Sequence, residues 1–118
     1  MITDYNHMLI FVKETLYNSG NDKNDIKYQS FRSRFSHTKR VLNWCKILCQ
    51  AYSGSVNEYV LFVCAIFHDA GYAISDDETD FPHAEASVEI FKDYCSMYDV
   101  SFIPIISNYI SFIQINVC

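Results

Sequence analysis

The sequence predicts an all-α fold, an irregular bundle of about five helices forming one domain over residues 1–118. Three observations predict it. Apolar residues recur at three- and four-residue spacings nearly throughout, and no stretch alternates apolar with polar for long enough to make a half-buried strand. The chain holds only three Gly and two Pro, and each stands at a joint between periodic stretches: Gly20, Gly54, Gly71, Pro82 and Pro104. Half of the residues are hydrophobic, which excludes a disordered or linker-rich chain.

The first helix is expected over residues 1–18, with Tyr5, Leu9, Val12 and Leu16 on one face. The run Ser19-Gly-Asn-Asp-Lys-Asn-Asp25 stops it, because Gly and Asn favour helix exits and turns. A second helix starts near Ser36, whose hydroxyl can cap it, and ends at Ser53-Gly54. Val41, Cys45, Leu48 and Tyr52 mark one face, with Leu42 and Cys49 beside them. Trp44 and the Phe and Tyr residues read as core or groove residues rather than a base-stacking platform.

Ser55-Val-Asn-Glu58 has the reciprocal capping pattern for a third helix. That helix runs through Tyr59, Val60, Phe62, Val63 and Ile66 to about Asp69, and it is apolar on all sides, so it should be central. An acidic loop follows from Gly71 to Pro82. The fourth helix opens at His83 and reaches about Met97, with Ala84, Val88 and Phe91 on one stripe and Ala86, Ile90 and Tyr94 on another. Pro104 suits the first turn of a fifth. Residues 100–118 carry no charge, but their Ser, Asn and Gln and the interruption at Pro104 exclude a membrane span, so no membrane partner is expected. An apolar last helix wants a neighbour to bury against: the surface is expected either to stay open or to be covered by another subunit, which would make a homo-oligomer through that helix.

The net charge of −5 argues against a binder of nucleic-acid duplexes. It is unevenly spread. Residues 1–50 hold eight Lys/Arg and four Asp/Glu, whereas residues 51–118 hold one and ten. The first half therefore offers a basic surface to an anionic substrate. Five cysteines, odd in number and without a C-x-x-C, read as buried free thiols of a reducing compartment; with no basic-then-apolar leader, the expected location is cytoplasmic.

His37, His68, Asp69 and His83 carry the chemistry. Each stands at an expected helix end: His37 opens the second helix, His68-Asp69 closes the third, and His83 opens the fourth. In an antiparallel bundle the start of the second and the end of the third fall on the same side, and the start of the fourth joins them if the loop does not cross the bundle. Adjacent His and Asp can reach one ion only where a helix is ending, since neighbours project about 100° apart within one. Imidazole nitrogens with a carboxylate suit a divalent ion such as Mn, Fe, Co, Ni or Zn. A lone His-Asp pair is commonplace; a His at the preceding helix start and another at the next make coincidence a poor explanation. Arg32, Arg34, Lys39 and Arg40 surround His37, and Arg34 is the preferred phosphate contact. Asp76, Asp77, Glu78 and Asp80 read as a solvated loop, and His7 as a solvated or partly packed side chain.

The segments Ser36-His-Thr-Lys-Arg-Val-Leu42, Ala65-Ile-Phe-His-Asp-Ala-Gly-Tyr72 and Pro82-His-Ala-Glu-Ala-Ser87 resemble the HD superfamily of metal-dependent phosphohydrolases, over roughly residues 30–95. The resemblance implies an HD-domain-like helical fold and hydrolysis of a small phosphate monoester or nucleotide. It implies that His37, His68 and Asp69 hold the metal ion, that Asp69 and His83 are catalytic, and that His83 and Arg34 bind the substrate. In some members the position of His83 joins a second metal, and in others it lies near the substrate phosphate. The family completes its metal shell with an Asp on a later helix, whereas no Asp, Glu or His follows Asp99 here. Two readings follow: a phosphohydrolase with a three-ligand centre, or a degenerate or C-terminally shortened HD domain that binds metal, nucleotide or a partner protein without turnover.

Overall fold

A computed structural model of the chain describes residues 4–19, 34–52, 54, 57–73 and 83–116. Five α-helices occupy them: α1 (Tyr5–Ser19), α2 (Arg34–Ala51), α3 (Glu58–Phe67), α4 (His83–Tyr98) and α5 (Ile105–Asn116). One 3₁₀ turn, Ala70–Ala73, follows α3, and there is no strand among the described residues.

α3 forms where the sequence is most apolar, and it is the hub. Seven of its ten residues are buried, Val60 and Phe62 through Phe67. α2 and α5 pack against it, α1 crosses it, and α4 packs on α5 and on the 3₁₀ turn. Met8, Val12 and Leu16 of α1, Val41, Leu42 and Cys45 of α2, Ile90, Phe91 and Tyr94 of α4, and Ile106 and Ile110 of α5 complete the core. The Cys64 thiol donates to the Ile106 carbonyl at 3.6 Å, tying the hub to the start of α5.

Helix starts differ from expectation in instructive ways. α2 begins at Arg34, two residues before Ser36. α3 is capped by Asn57, whose side chain accepts from the Val60 amide at 3.2 Å, where the capping pattern pointed to Ser55. Pro104 stands just ahead of α5, and its carbonyl accepts from the Ser107 amide at 3.1 Å. The acidic loop is shorter than expected at its near end, because Ala70–Ala73 coils into the 3₁₀ turn; Asp76, Asp77, Glu78 and Asp80 lie outside the described residues.

The face of α2 is covered only in part. Val41, Leu42 and Cys45 are buried, whereas Leu48 and Tyr52 on the same face are exposed. Trp44, expected in the core or a groove, is 64% exposed, because it projects along the direction of His37 and away from the buried face. The rings of His37 and His68 lie 5.5 Å apart, and a shallow groove between Lys46, Cys49, Gln50, Glu58 and Phe62 lies at the opposite ends of the same two helices, so α2 and α3 run antiparallel. The groove sets Glu58, the first residue of α3, beside Cys49 and Gln50, so α3 accompanies α2 to its last turn.

Candidate metal centre

His37 is the fourth residue of α2, and His68 and Asp69 form the link between α3 and the 3₁₀ turn. Three short hydrogen bonds hold that link. The His68 Nδ1–H donates to the Ala65 carbonyl at 2.6 Å, which fixes the tautomer, since a carbonyl only accepts, and leaves Nε2 as the ring's lone-pair nitrogen. The Ser87 hydroxyl of α4 donates to the His68 carbonyl at 2.7 Å and accepts from the Gly71 amide at 2.8 Å. The Tyr72 amide donates to the Asp69 carbonyl at 3.1 Å, closing the 3₁₀ turn. Leaving α-helical geometry at His68 is what allows adjacent side chains to converge.

They converge on one point. Asp69 Oδ2 lies 3.4 Å from His37 Nε2 and 3.4 Å from His68 Nε2, and the three donor atoms are all within 4.8 Å of one another. Both His–Asp separations exceed the usual 2.7–3.2 Å of an N–H···O hydrogen bond. Two ligands held about 2.1 Å from a tetrahedral ion stand about 3.4 Å apart, so both His–Asp pairs have the spacing of donors that could share a divalent ion. The side chains of His68 and Asp69 are buried, at 0% and 3% exposure, whereas His37 is 27% exposed. Two of the candidate donors are thus packed in the core and the third faces solvent.

The structure brings together His37, His68 and Asp69. Arg34 and His83 are the first residues of α2 and α4, and their side chains lie outside the described residues. α5, where the family's late Asp was expected, contains no carboxylate or imidazole over Ile105–Asn116. His7 belongs elsewhere: its Nδ1 shares a hydrogen bond with the Tyr94 hydroxyl at 2.8 Å, and its ring meets Tyr98 edge-on. Lys39 projects over the Phe35 ring at 5.6 Å. Burial pushes the Cys64 thiol up to about 12 and Cys45 to about 11, so both are inert and neither competes for metal at neutral pH.

The residue that sequence reasoning missed is Ser87. Its signal was a small polar side chain four residues before Phe91 and seven before Tyr94, that is, on the core side of α4 where only a satisfied hydroxyl belongs. Thr38, also fully buried beside His37, was missed in the same way.

No curated protein and no solved structure matches the chain. The profile of the HD domain matches residues 34–113. That span starts at the first residue of α2 and takes in the centre and most of α5, and His37, His68 and Asp69, which it encloses, are the three donors that meet. By this match over more than half its length, the chain belongs to the HD domain family.

Proposed function

We propose that the chain is a divalent-metal-dependent phosphohydrolase acting on a small phosphate monoester or nucleotide. The observation that carries the reading is the convergence of one donor atom each from His37, His68 and Asp69, all within 4.8 Å of one another, with Asp69 Oδ2 3.4 Å from both imidazole nitrogens. His37, His68 and Asp69 would hold the ion, which when bound supplies Lewis acidity toward a phosphoryl oxygen and an attacking water. The chain's own groups do the rest. Asp69, packed and directed by the 3₁₀ turn, holds its carboxylate where it also orients that water. His68 is locked in one tautomer and cannot turn away, because Ala65 keeps its Nδ1 proton. Arg34 and His83, at the starts of two helices, are assigned to the substrate phosphate, where their cationic or N–H groups neutralise developing charge.

A second reading has one specific observation in its favour. With no carboxylate or imidazole on α5, the centre has three candidate protein ligands among the described residues. Three ligands leave an ion open to water and substrate, as catalytic ions are, but they also bind it more weakly than four. A domain that binds a metal or nucleotide without turnover is the alternative. Phosphate release from a panel of nucleotides and sugar phosphates, with Mn or Ni added, separates the two. Release that disappears in the His68→Ala, Asp69→Ala double variant is the expected result. Metal uptake that depends on those residues without any release would establish the binding module instead.

A further inference from the structure

The centre faces solvent through His37, and α2 sets the direction in which it opens. A seven-residue step along an α-helix returns to within about 20° of the same direction, about 10.5 Å further along the axis. Trp44 is seven residues after His37, and Arg40 stands between them, about one turn from each; both are exposed. Lys39 and Lys46 leave from the opposite flank of the helix, and Lys39 is drawn over the Phe35 ring. The solvent side of α2 thus carries a row of three: an imidazole of the centre, a guanidinium, and an indole. The core face of α2 is made by Thr38, Val41, Leu42 and Cys45, and Trp44 takes no part in it.

We infer that this row reads the organic part of the substrate, with Trp44 offering its π-face to a flat aromatic ring and Arg40 pairing with a phosphate between that ring and the centre. The inference rests on the phosphoryl chemistry proposed for His37, His68 and Asp69. Spacing selects the ligand class. A phosphoryl group at the centre and a ring over Trp44 must be joined by a linker spanning about two helical turns, the reach of a nucleoside di- or triphosphate. A sugar phosphate has no ring to stack, and the ring of a simple aryl phosphate falls short.

Trp44 is the sole tryptophan, so the indole emission of the chain reports on it alone. The full chain, loaded with Zn²⁺ because that ion does not itself quench, is titrated with ADP, pyrophosphate and ribose 5-phosphate. ADP should quench the emission, and pyrophosphate should displace ADP without quenching. By calorimetry, Trp44→Ala should weaken ADP by about 5- to 150-fold, the usual effect of losing one base–aromatic stack, and leave pyrophosphate unchanged; Trp44→Phe should restore most of the loss. An unchanged melting curve for Trp44→Ala, expected of so exposed a residue, keeps the comparison clean. Equal binding of ADP and pyrophosphate with silent emission would overturn the inference while leaving the phosphoryl centre standing. Absence of any pyrophosphate binding would remove both. Emission that shifts with protein concentration alone would place Trp44 against a second copy and overturn the inference.

Discussion

His68 is held at both its ring and its backbone, and the second of these restraints comes from a different helix. Ser87 bridges the His68 carbonyl and the Gly71 amide, and its hydroxyl is fully buried. Ser87→Ala leaves two buried backbone groups short of a partner, so stability should fall by about 1–3 kcal/mol. Because the same bridge aims His68 and Asp69, Zn²⁺ affinity should fall a further 10- to 100-fold at temperatures where the variant is fully folded, an estimate taken from residues that orient metal ligands. Urea melts and competitive zinc titration measure the two effects separately. A second prediction concerns Cys64 and Cys45, whose thiols burial raises from the ordinary 9.0 to about 12 and about 11. Below pH 8 both states keep these protons and nothing changes. Between 9 and 12 the unfolded chain gives them up while the folded chain retains them, so stability should fall steadily across that window. Burial raises Tyr5, Tyr59 and Tyr94 as well and carries the decline to higher pH. Unfolding free energies from urea at pH 8, 9 and 10 test this, and Cys64→Ala should flatten the slope.

Helix ends decide what each element can present. α4 closes with Asp99 at φ 53°, and the Val100 amide donates to the Cys95 carbonyl at 3.0 Å, the six-to-one bond of a Schellman cap. Left-handed backbone suits glycine better than aspartate, so Asp99→Gly should stabilise the chain by about 1 kcal/mol, read as a higher thermal midpoint. Asn57→Ala should cost about 1 kcal/mol by uncapping α3. Most elements were legible through their periodicity, and the apolar run from Tyr59 to Phe67 through the capping pattern ahead of it and the helical spacing on either side. The start of α3 was not, since Ser55 and Asn57 can both cap and the sequence has no term that chooses between them. The exposure of Leu48 and Tyr52 was not legible either: periodicity says which residues share a face with Val41 and Cys45, but not where a neighbour covers that face.

At the scale of the molecule, the centre joins the beginning of one helix to the end of another across the bundle. A cation bound there acts as a crosslink present only in the folded state. At 100 times its Kd, Zn²⁺ should raise stability by about 2.7 kcal/mol, a shift that differential scanning fluorimetry can follow and that His68→Ala should abolish. The meeting of His37, His68 and Asp69 was legible in the sequence because the three stand at helix ends whose side of the bundle follows from antiparallel packing. The exposure of Trp44 was not, because an aromatic side chain carries no mark of whether a neighbour covers it. The position of His37 in the opening turn of α2 has a kinetic consequence. Terminal turns unravel far more cheaply than whole domains. Uncoiling residues 34–37 would detach one of three donors while His68 and Asp69 stay packed, so the ion should come and go by that route. Its rate of stripping by a chelator should then track amide exchange at the start of α2 and ignore the melting temperature. A substitution that stitches that first turn down would slow the traffic without changing the equilibrium.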